Sequence, residues 1–128
     1  MSAFSETLKY DGNGLIPAVI QDVDNHEILM VGYMNQEAVD RTLESRRVTY
    51  WSRSRQKYWL KGETSGHYQH VVEIRTDCDR DALLIKVRQE GVACHEGYRS
   101  CFFRTLGREG ELQVVEPREV DPNEVYGR

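Results

Sequence analysis

The chain has 128 residues, 39 % of them hydrophobic, which is enough to bury a core as one domain spanning 1–128 without disulfide staples. A net charge of −4 argues against a general nucleic-acid binder, whose footprint is basic, and leaves only a local strip such as Arg46 to Lys61 for RNA. No apolar run approaches the ~18 residues of a membrane span, and the polar opening has no signal-peptide core, so a cytoplasmic protein without membrane partners is expected. An odd number of cysteines in a reducing compartment favours thiolate chemistry over disulfides.

Residues 15–23 read as a strand, Asp24-Asn25-His26 as a turn and residues 28–33 as its hairpin partner. Asn35 suits the N-cap of a helix that has Glu37 in its first turn and Ala38, Val39, Thr42 and Leu43 on one face before Arg46. Strands are expected at 48–52, 58–61, 69–76, 83–89, 101–106 and 112–115. The fold class that follows is α+β, mainly antiparallel β. The tail from Glu116, with two prolines and mixed charge, reads as loose surface.

Between Arg46 and Lys61 the chain carries six Lys or Arg and no acid, although it is acidic overall. If that segment is extended, Arg53 and Arg55 share a face, and guanidinium forks match phosphate oxygens. Lys57 and Lys61 add positive potential. The loop Gly62-Glu63-Thr64-Ser65-Gly66 offers backbone donors and hydroxyls to an anion. The plainer alternative is a basic strand face with a polar turn. Trp51 and Trp59 suit stacking on a base, though strand aromatics usually belong to a core. Trp51, Ser52, Arg53, Arg55, Lys61, Glu63, Thr64 and Ser65 make up the candidate substrate-binding set.

All three cysteines, three aspartates two apart and a histidine fall between Asp77 and Cys101. On an extended backbone Asp77, Asp79 and Asp81 project to one face while Cys78 and Arg80 project to the other. Crowded carboxylates repel unless a cation neutralises them, and hard oxygen ligands suit Mg2+ or Ca2+; a solvated acidic turn is the other reading. An EF-hand is excluded, because Ala82 stands where its turn glycine belongs and Arg88 where its bidentate Glu belongs. Three thiolates match the ligand count of a catalytic zinc, but Cys78, Cys94 and Cys101 lack the paired spacing of zinc fingers, and inert core thiols stay open as an alternative. Of the four histidines only His95 adjoins a candidate ligand, and it is read as the acid or base. A zinc nucleoside deaminase is disfavoured because the chain has no C-x-x-C.

Taken together, Trp51-Ser52-Arg53-Ser54-Arg55, Lys61-Gly62-Glu63-Thr64-Ser65-Gly66, Asp77-Cys78-Asp79-Arg80-Asp81-Ala82-Leu83-Leu84, Ala93-Cys94-His95 and Ser100-Cys101-Phe102 resemble phosphoribosyl-AMP cyclohydrolases of histidine biosynthesis. Gly14-Leu15-Ile16-Pro17-Ala18 and Met34-Asn35 fit as well, so the resemblance covers residues 14–106. It implies one Zn2+ per subunit on Cys78, Cys94 and Cys101, with Cys78 reaching the site of the partner in a homodimer, and Mg2+ on Asp77, Asp79 and Asp81. The implied fold is a small barrel-like β structure capped by a helix, with two interleaved chains. The implied reaction opens the adenine ring of phosphoribosyl-AMP between N1 and C6 by attack of a zinc-activated water, with His95 as candidate base. Too few residues follow Leu106 for a fused second domain, so a single activity is expected. His67, Glu96 and Tyr98 depart from the family pattern, where Asn, Thr and a polar residue are expected, and all three fall in candidate substrate loops.

Overall fold

The computed structural model describes residues 2–126. A one-turn helix α1 (Ala3–Glu6) leads into β1 (Ile16–Asp22), β2 (Ile28–Met34), helix α2 (Gln36–Ser45), β3 (Thr49–Ser52) and β4 (Lys57–Leu60). Strands β5 (Gln69–Thr76), β6 (Leu83–Gln89), β7 (Arg104–Leu106) and β8 (Leu112–Val114) follow, and α3 (Pro122–Tyr126) closes the described chain. The main sheet runs β2-β1-β6-β5, antiparallel except where β1 lies parallel to β6, and β3-β4 and β7-β8 are separate two-stranded ribbons. The α+β class and the dominance of antiparallel pairing agree with the sequence reading. The barrel does not: among the described residues the sheet is open, because no hydrogen-bonded ladder joins its outer strands β2 and β5 to each other or to the ribbons.

Strict alternation drives the central strand. Along β1 every second residue is buried, so Ile16, Ala18 and Ile20 point into the core with no exposure. Leu29 and Met34 from β2 and Leu83, Ile85 and Val87 from β6 meet them there. Full burial of each such side chain is worth roughly 1.5–3 kcal/mol. Helix α2 covers the core with Ala38 and Val39. Its start is fixed by the Asn35 side chain, which accepts from the Ala38 N–H at 2.9 Å, and its end by Arg46 in the left-handed region.

The β3-β4 ribbon is held to the sheet by Tyr50. Its ring lies on Gly32, where an added Cβ would sit 2.3 Å from a ring carbon, and its hydroxyl donates to Gln69 Oε1 at 2.7 Å. A larger residue at 32 would push the ribbon away.

Two sequence expectations change. Residues 101–103 are not strand, and β7 starts at Arg104, because the Cys101 N–H is spent on Leu29 and the Phe102 N–H on the Ser100 hydroxyl. Trp51 is half-buried and Trp59 is 36 % exposed, so neither is core, since the short ribbon has one open face. The tail from Glu116, mostly exposed, touches the rest of the chain around residues 118–120. Glu119 and Val120 both donate to the Gly97 carbonyl, and Arg118 pairs with Tyr98.

Candidate active site

A tight turn, a glycine-bracketed loop and His95 together line a cleft of about 620 Å³. The turn joins β3 to β4: the Gln56 N–H donates to the Ser52 carbonyl at 2.8 Å, and the Arg55 N–H to the Ser52 hydroxyl at 3.2 Å. Residues 53–56 are therefore not extended, and Arg53 and Arg55 do not share a strand face. Arg53 stacks 3.9 Å above the Tyr33 ring, outside the cleft, while Arg55 lines it beside Lys57. Trp51 is also outside, packed edge-on against Tyr58 with centroids 4.9 Å apart.

After β4 the backbone folds back at Gly62, whose φ is +95° and where a Cβ would meet the Tyr68 nitrogen at 2.6 Å. Only glycine suits that approach. The Gly66 N–H then closes the loop onto the Gly62 carbonyl at 2.7 Å. This turns Glu63, Thr64 and Ser65 toward the cleft, together with Ser52 and Lys61. Ser54, which the sequence did not single out, and Trp59, weighed for stacking but left out of the substrate-binding set, also line it. The signal available for Trp59 was alternation, because it lies one residue from each of the half-buried Tyr58 and Leu60.

Cys94 and Cys101 bracket a loop pinned at several points. The Cys94 N–H donates to the Tyr98 carbonyl at 3.1 Å, the Cys101 N–H to the Leu29 carbonyl at 2.7 Å, and the Ser100 hydroxyl to the Ile28 carbonyl at 2.7 Å. Arg99 bonds Asp22 and reaches Glu27 at 3.0 Å, tying the loop to the β1-β2 turn. The two thiols are brought together: burial and the charge of Cys94 push the Cys101 pKa up to about 12. Cys94 is buried, whereas part of Cys101 reaches solvent. Lys61, also buried, faces both sulfurs; burial lowers its pKa while their charge works the other way.

Cys78 does not join them. Among the described residues the three cysteines of one chain form no cluster of ligand atoms, whereas Asp77, Asp79 and Asp81 do, with one ligand atom from each within 4.8 Å of the others. These aspartates meet on a turn between β5 and β6, not by strand alternation. Arg80 takes a φ of 62°, and Asp77 Oδ1 accepts the N–H groups of Asp81 and Ala82 at 3.0 and 3.2 Å. Although partial desolvation opposes it, hydrogen bonding to Asp81 holds the Asp77 carboxyl below the usual range. Hydrogen bonds with Asp77 and Asp79, and their charge, raise Asp81 to about 6. The donor chemistry fits a hard divalent cation at the turn, and a soft one at the thiol pair only if a further ligand arrives from elsewhere.

The family model for phosphoribosyl-AMP cyclohydrolase matches residues 30–103. The chain is 64 % identical over 111 residues to a phosphoribosyl-AMP cyclohydrolase of Ruegeria pomeroyi, covering 87 % of this chain and 93 % of the relative. It is 62 % identical over 109 residues to that of Cereibacter sphaeroides, covering 85 % and 91 %, and 51 % identical over 123 residues to that of Pelotomaculum thermopropionicum, covering 96 % and 95 %. The chain belongs to the phosphoribosyl-AMP cyclohydrolase family.

The residues that departed from the family pattern now have places. Tyr98 is buried in the loop between Cys94 and Cys101, stacked on Phe103 with centroids 3.7 Å apart, and Arg118 lies 5.3 Å from its ring. An apolar stack there anchors the cysteine loop to the tail. His67 lies behind the cleft, where its Nδ1 accepts from Val92 at 3.4 Å. Glu96 follows the thiol, its N–H donating to Cys94 Sγ at 3.5 Å. Among the described residues, no helix is long and apolar enough to cross a membrane.

Proposed function

We propose that this chain hydrolyses phosphoribosyl-AMP, opening the adenine ring between N1 and C6 within the cleft that joins Arg55 and Lys57 to His95. The observation that supports this most is the cleft itself. Cationic side chains, a hydroxyl loop and an imidazole that directly follows a thiol of the metal-type pair line it together. Arg55 and Lys57 hold a phosphate of the substrate, and the Thr64 and Ser65 hydroxyls add neutral donors. Trp59, half-open at the cleft, provides a flat face for the purine.

Cys94 and Cys101, with Cys78 contributed by a second copy of the chain in a homodimer, would hold zinc. Zinc bound there would supply Lewis-acid polarisation of a water. Asp77, Asp79 and Asp81 would hold Mg2+. His95 is exposed and has no protein partner for its ring among the described hydrogen bonds, so it is free to take a proton from the attacking water and deliver it to the departing N1. N1 substitution already makes the ring cationic, so C6 needs only a modest nucleophile.

Purified protein incubated with phosphoribosyl-AMP gives the ring-opened product, loses that activity to a chelator and recovers it with zinc. His95→Ala lowers kcat by about a hundredfold or more. No product from zinc-replete protein sinks the proposal, and full turnover by the alanine variant removes His95 from it.

A further inference from the structure

One member of the basic strip is turned away from solvent. Lys61 is 3 % exposed, its Nζ donates to the Ala93 carbonyl at 2.6 Å, and it lies 5.1 Å from the Trp59 ring. A buried ammonium has three donors and a full charge to compensate, and one carbonyl with one ring face does not replace water. Among the described residues no carboxylate pairs with it. The bond to Ala93 sets it one residue from Cys94, and the ionisable groups whose charge it feels are Cys101 and Cys94.

We propose that Lys61 is a positioning residue of the thiol site, a fixed cation that favours the thiolate pair Cys94 and Cys101 and, through Ala93, holds Cys94 and His95 at the cleft wall. The inference rests on reading the two cysteines as zinc ligands. Three thiolates outweigh a divalent cation by one charge, and an adjacent ammonium cancels that excess. It also draws electron density from the sulfurs, preserving the acidity that thiolate donation would otherwise weaken. Phosphate binding then falls to Arg55 and Lys57, whose charges face open cleft.

Zinc affinity separates this role from simple packing. In metal-free, full-length protein titrated with Zn2+ against a chromophoric chelator, Lys61→Met, which keeps length but removes charge, binds about tenfold more weakly. Lys61→Arg, which keeps charge but disturbs the fit at Ala93, stays within about threefold of wild type. Steady-state kinetics of the Met variant show kcat reduced with KM unchanged. A Met variant that binds zinc like wild type overturns the proposal, as does an Arg variant that loses as much as Met. If the Met variant fails to fold by circular dichroism, the Arg variant decides: affinity as poor as that of Cys94→Ser overturns the proposal. Wild-type protein that binds no zinc overturns the zinc reading itself, a result distinct from wild-type binding that is insensitive to residue 61.

Discussion

Asp77, Asp79 and Asp81 bring their ligand atoms within 4.8 Å of one another on a single short turn, while Cys94 and Cys101 meet only because a longer loop is pinned to β2 and to the β1-β2 turn. Cys78 sits inside the aspartate turn and stays apart from the other two cysteines. Local geometry alone assembles the carboxylates. The thiols need tertiary structure for two members and, on the reading proposed above, a second chain for the third. The two regions should therefore fail in different ways when damaged.

The largest effect comes from breaking the thiol set. Cys94→Ala and Cys78→Ala each lower activity by more than about a hundredfold, beyond the usual loss for an outer partner of a metal ligand. Co-expressing the two inactive variants is more revealing. If Cys78 serves the neighbouring copy, each mixed dimer holds one intact site, and random mixing returns about a quarter of wild-type activity. Asp77→Asn mixed with Asp81→Asn returns none, because both lesions fall in the same turn. Recovery in the aspartate pair, or none in the cysteine pair, would reverse the comparison.

The next effect tests the pins. Arg99→Gln leaves Asp22, whose side chain is 5 % exposed, without its cation, and the protein loses about 2 kcal/mol, less than a fully buried pair because Arg99 is itself 31 % exposed. Zinc binding should weaken with it, since Cys101 is two residues away, while Mg2+ binding at the turn is unchanged. Thermal melts and separate titrations with each metal check this. Equal loss at both sites would mean that the two regions are not independent.

How much of this was legible beforehand follows the same division. The β1-β2 hairpin, the Asn35 cap and strands β5 and β6 are read from alternation and capping chemistry, which act within a few residues. The clustering of the aspartates was anticipated for the wrong reason: strand alternation was expected, but the Asp77 carboxylate captures two backbone N–H groups and makes a turn. The arginines of residues 53–55 were assigned to one face because nothing local announces that Gln56 takes a φ of 53° and bends the backbone. Lys61 looked like another surface cation, and only its long-range bond to Ala93 shows that it is buried. The Tyr98–Phe103 stack and its tie to Arg118 are likewise invisible without the fold, since the tail reads as charged and proline-rich.

The smallest effect is a pH slope confined to the aspartate turn. In protein stripped of divalent cations Asp81 has its pKa raised to about 6 by hydrogen bonds with Asp77 and Asp79 and by their charge. A raised folded-state value means that the native state holds a proton which the unfolded chain, with an ordinary carboxyl near 3.9, has already released. Stability is therefore greatest below about pH 4 as far as this group is concerned and declines as pH rises toward about 6. All three aspartates are exposed, so solvent screening keeps the effect small and melting temperature is a suitable readout. Asp81→Asn removes the decline, because the amide mimics the protonated partner at every pH. Saturating Mg2+ removes it as well, because the cation replaces the shared proton. The cysteine variants leave the slope untouched, and a slope that survives both Asp81→Asn and Mg2+ would place its origin outside the turn.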